Sequence, residues 1–188
     1  MIVDDIASPP YPYRVILADP PWTFMTRSSR GKGRSPEKHY SCMSLDEIKA
    51  LPVAGLADKD CAMFLWTIDT HLPQALDLIN AWGFTFKTKA FEWAKLNKSG
   101  QGYFTGMGFW TRANSETCLL ATRGKPKRVA KDVRRLIVSP RREHSRKPDE
   151  VYERIERLLR GPGIELFARQ ERAGWDSWGL ESQKFNPE

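Results

Sequence analysis

Tyr13-Arg-Val-Ile-Leu-Ala18 is an apolar run that stops at Asp19-Pro20-Pro21, and Ala62-Met-Phe-Leu-Trp66 is a second such run. Short apolar runs closed by turn residues predict buried strands. Phe84 to Trp93 and Glu116 to Thr122 have the same character, and Ile164-Glu-Leu-Phe167 predicts a last strand. Helical spacing appears elsewhere. Ser44-Leu-Asp-Glu47 is a capping box, which opens a short helix that Pro52 ends. Leu72, Ala75, Leu76, Ile79 and Trp82 recur one helical turn apart, and Gly83 closes the element. Pro148 falls at a first helical position, with Asp149 and Glu150 in the electropositive first turn and Val151, Ile155, Leu158 and Leu159 as the apolar stripe. Residues 23–42 have no apolar periodicity and residues 95–108 carry four glycines, so both predict loops. Strands alternating with helices predict an α/β fold with a mostly parallel sheet and helices on both faces, formed by residues 1–188 as a single domain.

Composition narrows the classes. The longest unbroken apolar run, Cys61 to Trp66, is far short of the roughly 20 residues of a membrane helix. Met1-Ile-Val-Asp-Asp5 lacks the basic flank and apolar stretch of a signal peptide. The three cysteines (42, 61, 118) and three histidines (39, 71, 144) are scattered, which argues against a disulfide scaffold or a zinc site. A reducing, cytoplasmic setting fits that pattern. The net charge is +7, yet residues 123–147 alone hold eleven Lys/Arg against Asp132 and Glu143. Concentrated positive charge is the footprint of a polyanion, and Arg134 and Arg135 are its candidate phosphate contacts. Residues 27–38 form a second basic stretch, rich in Ser and Gly.

Ligands in open α/β sheets bind beyond the carboxyl ends of strands. Asp19, Pro20, Pro21 and Trp22 stand at such an end. The prolines fix the backbone and remove two N–H donors, so a carboxylate and peptide carbonyls form a rigid set of acceptors beside an indole. Such a set suits an exocyclic aromatic amine, whose lone pair is delocalised into its ring. Two acceptors drawing on its hydrogens localise that pair and stabilise the charge that develops on attack. Trp22 is placed to stack on the heterocycle. Neither a GxGxxG loop nor a P-loop is present, which argues against a dinucleotide oxidoreductase or an NTPase.

Four blocks in order resemble the MT-A70 family of S-adenosylmethionine-dependent adenine methyltransferases: Val15-Ile-Leu-Ala-Asp-Pro-Pro-Trp22; Phe64-Leu-Trp66 with Trp93-Ala-Lys95; Glu143-His-Ser-Arg-Lys-Pro-Asp-Glu-Val-Tyr152; and Ile164-Glu-Leu-Phe-Ala-Arg169. The resemblance implies a Rossmann-like methyltransferase fold in the motif order of the beta class. It implies methyl transfer from S-adenosylmethionine to the 6-amino group of adenine in nucleic acid, without a metal. DNA is favoured. RNA, or a catalytically silent nucleic-acid-binding subunit, are the alternatives left open, as are a homodimer and a heteromeric partner. Residue by residue, Asp19 matches the catalytic carboxylate and Pro20 its carbonyl acceptor. Lys147 matches the partner of the cofactor carboxylate, Phe167 the neighbour of its adenine, and Arg169 and Glu171 the ribose segment. Tyr40, Trp66, Trp93 and Trp110 fall where family aromatics line or gate the pocket. Glu116 recurs near a turn, with no chemistry assigned. Leu180-Glu181 stands where relatives have Asn-Gln, so those contacts are not carried over.

Overall fold

The computed structural model describes residues 1–22, 43–143 and 146–186. The segment 23–42, with the basic stretch 27–38 and Tyr40, lies outside the described residues. In chain order come β1 (Tyr13–Ala18), α1 (Leu45–Ala50), α2 (Val53–Leu56), β2 (Ala57–Thr67), a 3-10 turn (Asp69–His71), α3 (Leu72–Ala81), β3 (Thr85–Leu96), β4 (Ser115–Arg123), β5 (Leu136–Pro140), α4 (Glu150–Leu158), β6 (Gly163–Leu166) and β7 (Trp175–Trp178). Seven strands form one sheet in the order β5-β3-β4-β2-β1-β6-β7. Only β4 runs against its neighbours, pairing antiparallel with both β2 and β3. The other four pairings are parallel.

Alternation along β1 divides the core between the two faces, because successive strand side chains point to opposite sides. Ile16 and Ala18 join Ile48, Ala75, Leu78 and Ile79 on the side of α1 and α3. Val15 and Leu17 join Val151, Tyr152 and Ile155 on the side of α4. Helices therefore cover both faces, and β1 is apolar throughout its second half because it is buried on both. The capping box forms as expected: the Ser44 hydroxyl accepts from the Glu47 N–H, and the Glu47 carboxylate accepts from the Ser44 N–H at 2.7 Å. Gly83 closes α3 at φ +78°, a conformation that glycine adopts without steric cost.

Two strands and one helix go beyond the sequence reading. β5 is a five-residue edge strand inside the basic segment, and β7, not β6, is the last strand. α2 is a single short turn. α4 begins two residues after Pro148, with Asp149 at its N-cap position. Among the described residues no helix is long and apolar enough to cross a membrane. Cys61 and Cys118 are buried and unbridged.

Candidate active site

The chain leaves β1 toward β2, while β6 lies on the other flank of β1. A crevice opens where strand order reverses in this way. The Asp19 N–H donates to the Leu166 carbonyl at 3.4 Å, which carries the β1–β6 pairing up to the rim. The pocket there is lined by Asp19, Lys147, Glu165, Phe167 and Arg169, with Arg146, Tyr152, Gln170 and Phe185 completing it.

Lys147 sits in the approach to α4, and its ammonium donates to Asp19 Oδ2 at 2.6 Å. Glu116 Oε2 lies 3.4 Å from the same ammonium, while Glu116 Oε1 is paired with Lys95. Charges thus alternate Asp19–Lys147–Glu116–Lys95, across residues from four parts of the chain. Burial pulls the Lys147 ammonium toward deprotonation, but Asp19 and Glu116 outweigh it and hold the group above its ordinary value. Burial likewise pushes Glu116 up, and Lys147 and Lys95 overcome it, bringing the carboxyl down to about 2. A shift of that size is worth about 3 kcal/mol, present in full above the ordinary carboxylate value and lost as pH falls toward 2. The wild-type protein is therefore expected to lose stability more steeply than Glu116→Gln between about pH 5 and pH 2. Urea midpoints across that range check this, and parallel curves would remove the shared ion pair as the cause.

Glu165 behaves in the opposite way. Burial raises its carboxyl to about 7, although the Tyr152 hydroxyl donates to Oε1 at 2.8 Å and pulls the other way. The pocket so holds Asp19 and a half-neutral Glu165 against Lys147, Arg146 and Arg169. Arg146 Nε is buried and has no partner among the described residues. Cations and an unspent donor beside two phenyl rings fit a ligand with an anionic end and a flat aromatic end. An S-adenosylmethionine carboxylate and adenine have that chemistry, with Lys147 to hold the first and Phe167 beside the second.

Phe167 carries φ +62°, a left-handed backbone that costs a non-glycine residue of order 1–3 kcal/mol. Its carbonyl carbon and the Ala168 backbone would lie within 2.9 Å of a Cβ on residue 179, so Gly179 lets the end of β7 close against this turn. The Ala168 N–H donates to the Trp178 carbonyl at 2.9 Å across that approach.

The structure brings Asp19, Lys147, Phe167 and Arg169 to one pocket and separates the other expected residues from it. The Pro20 carbonyl is not wholly free, because it already accepts the Trp22 N–H at 2.8 Å and keeps only its second lone pair. The Trp22 indole is packed in the core, 7% exposed, with Nε1 donating to the Trp66 carbonyl at 3.1 Å, so its face is not open for stacking. Trp66 and Trp93 are core side chains on the α4 side of the sheet. Lys147 lies 5.5 Å over the Trp66 ring, and Trp93 Nε1 donates to the Ser139 carbonyl. Trp110, by contrast, is fully exposed. Glu171 is an exposed residue whose carboxylate accepts from Gln183 and Asn186, and it does not line the pocket. Arg134 and Arg135 are exposed where the chain enters β5, the sheet edge four strand spacings from β1, or about 19 Å.

The sequence reading assigned no role in the site to Glu116, Lys95, Glu165 and Phe185. For the two glutamates a signal existed. Each is a carboxylate within or beside an apolar strand, and a charge placed there needs a partner. Phe185 lies beyond the last motif block, and nothing in its neighbours marks it.

A reversed strand within an otherwise parallel seven-stranded sheet, with helices on both faces and Asp-Pro-Pro-Trp directly after β1, fits a Rossmann-like methyltransferase fold. A model of the MT-A70 family matches residues 13–181, and the chain belongs to that family. The type II methyltransferase M.MunI of Mycoplasma sp is 34% identical over 90% of this chain and 77% of its own length. The N(6)-adenosine-methyltransferase MT-A70-like protein of Arabidopsis thaliana is 33% identical over 89% of this chain. The human N(6)-adenosine-methyltransferase catalytic subunit METTL3 is 32% identical over 84%. The chain spans 23% and 26% of the length of these two eukaryotic proteins. Family membership implies S-adenosylmethionine as the methyl donor.

Proposed function

We propose that this protein, as a single domain, transfers a methyl group from S-adenosylmethionine to the 6-amino group of adenine in nucleic acid, with DNA as the favoured substrate. The observation that carries the reading is the Asp19 carboxylate at the end of β1, held by the part-buried Lys147 ammonium in the pocket at the rim. The donor supplies a sulfonium methyl open to in-line displacement. Lys147 takes Asp19 Oδ2, leaving Oδ1 as the oxygen that accepts from the substrate amine. The second lone pair of the Pro20 carbonyl takes the other amine hydrogen. These acceptors offset the positive charge that grows on nitrogen, an effect that low local dielectric strengthens. In a duplex the adenine must leave the stack to reach them. DNA is preferred over RNA because the chain is similar to a type II methyltransferase, M.MunI, at 34% identity over 187 residues. The test is methyl transfer from labelled donor to duplex DNA, single-stranded DNA and RNA of one sequence. Faster methylation of RNA would reverse the substrate and leave the chemistry; no adenine methylation on any of them would sink the reading.

The basic segment is read as a phosphate-binding surface. Reversing the charge of Arg134 and Arg135 is expected to lower affinity about equally for all sequences, since groups that bind phosphate position the duplex without reading bases. For every phosphate no longer neutralised, the salt slope flattens by about 0.9 on duplex or 0.7 on single strands. Their place on the sheet edge leaves the pocket intact in that variant. Binding measured from about 50 to 300 mM salt checks it, and an unchanged slope would take these two arginines out of the interface.

A further inference from the structure

The β3–β4 hairpin stands on the same edge of the sheet as Asp19. β4 runs against both β2 and β3, and β2 is parallel to β1, so β3 points the same way as β1. The carboxyl end of β3 therefore lies on the rim where β1 ends. The hairpin is rooted in the charged row described above. Lys95 and Glu116 pair across its base, and Glu116 is 3.4 Å from the Lys147 ammonium that holds Asp19. The Phe104 N–H donates to the Lys95 carbonyl at 2.8 Å, and the Lys95 N–H to the Asn114 carbonyl at 2.9 Å. The Arg141 guanidinium lies 4.0 Å over the Phe104 ring, and the Gly106 N–H donates to the Ala113 carbonyl at 2.8 Å.

At the tip the Thr111 N–H donates to the Phe109 carbonyl at 2.6 Å, and Trp110 between them carries φ +62°. Such a bond around a positive φ is the rare, strained form of the γ-turn, and a bulky side chain makes it costlier. The indole placed there is 106% exposed, while the other six tryptophans are buried or partly buried. Tyr103 and Met107 of the same hairpin are more than half exposed. Residues 97–114 carry two charges, Lys98 and Arg112, and no acid. A strained turn that presents an aromatic face to water among cations points to an occupant with flat rings and negative charge.

We propose that Trp110 is a stacking platform for a base of the substrate strand, a few nucleotides from the adenine that enters the pocket. The inference rests on the nucleic-acid reading above. Trp110 is six residues from Glu116, and that length of chain reaches at most about 20 Å. A strand advances about 3.4 Å per nucleotide, so the platform falls within about six nucleotides of the target. Nucleic acid is the occupant, rather than a protein surface, because the hairpin joins exposed rings to positive charge on the rim of the pocket itself. Every base has a face to stack, so the tip adds hold without choosing sequence.

Two probes separate stacking from charge: an oligodeoxyadenylate long enough to span pocket and tip, and an abasic strand of equal length, which keeps the phosphates and lacks the bases. Trp110→Ala is expected to weaken the oligodeoxyadenylate about 5- to 100-fold, the worth of one base–ring stack, and to leave the abasic strand within about twofold. The salt slope should stay as in wild type because no phosphate contact is lost, which separates this variant from charge reversal at Arg134 and Arg135. Trp110→Phe keeps a ring and should recover most of the affinity. Trp110→Gly should bind as Trp110→Ala does and melt no lower than wild type, since glycine adopts this φ without strain. Iodide quenching gives a direct reading. Trp110 is the indole fully open to the quencher, and the oligodeoxyadenylate should shield it where the abasic strand does not. Equal affinity of wild type and Trp110→Ala for the oligodeoxyadenylate would overturn the platform, and so would equal losses on both probes. A wild-type dimer that Trp110→Ala turns into a monomer would make the tip a contact between copies and overturn it too. So would a wild-type protein that ignores the oligodeoxyadenylate while binding other nucleic acid. A protein that binds neither DNA nor RNA would overturn the nucleic-acid reading itself, whereas binding left unchanged by the variants would overturn the platform alone.

Discussion

Asp19→Ala is expected to leave a folded protein whose methyl transfer is slower by 10²–10³-fold or more, the usual cost of losing an acceptor that acts in the transition state. The fold survives because the carboxylate sits past the end of β1, in the rim and outside both apolar clusters. Its removal does not orphan Lys147, since Glu116 Oε2 remains 3.4 Å from the ammonium. Asp19→Asn is the sharper variant, as it keeps the shape and one acceptor and loses the charge. The measurement is single-turnover transfer at saturating donor beside a thermal midpoint. Turnover above about a tenth of wild type would remove Asp19 from its role, because a tenfold step is only about 1.4 kcal/mol.

How much of this was legible in the sequence depends on which signal each part carries. β1, α1 and α3 announce themselves because an apolar run or a helical spacing is bounded by Pro, Gly or a capping box. β2 begins at Ala57, five residues ahead of its readable part, since Asp58, Lys59 and Asp60 disguise strand as loop. β5 hides for a different reason. It is an edge strand whose outward side chains, Leu136 and Val138, are about half exposed, and it sits in the middle of a basic run. In the sequence that run is one patch, but the fold divides it. Arg123 pairs with Cys61, toward the start of β2, Arg141 is bonded to the end of β3, and Lys147, whose carbonyl accepts from Arg142, lines the pocket. β7 carries Asp176 at 7% exposure, satisfied by the hydroxyls of Tyr11 and Tyr13, residues more than 160 positions away. No local pattern encodes such a partner. The same limit governs the site. Asp19, Lys147 and Phe167 stand in motif blocks, which makes them legible. Trp22, Trp66 and Trp93 stand out by aromatic content alone, which does not distinguish a core indole from a pocket wall. Glu116 gains its meaning only when β4 is laid beside β3 and the α4 approach.

Lys147→Ala is expected to be costly twice over. A charge-assisted contact is worth about 1.5–3 kcal/mol, so affinity for S-adenosylhomocysteine should fall roughly 10- to 100-fold. The fold should suffer too, which distinguishes this variant from Asp19→Ala. Lys147 is the cation shared by two carboxylates whose side chains are only 20% and 17% exposed. Without it, Lys95 still pairs with Glu116, but Asp19 keeps no ion pair among the described residues. Breaking a buried ion pair by removing one partner costs about 3–5 kcal/mol, and the partial exposure here places the expectation at the lower end. The paired measurements are the dissociation constant of S-adenosylhomocysteine and the urea midpoint at pH 7. Equal dissociation constants would move the carboxylate site away from Lys147. An unchanged midpoint at pH 7 would mean that solvent reaches Asp19 and Glu116 well enough to replace the ammonium, and the row of alternating charges would then be a feature of the binding site without weight in the fold.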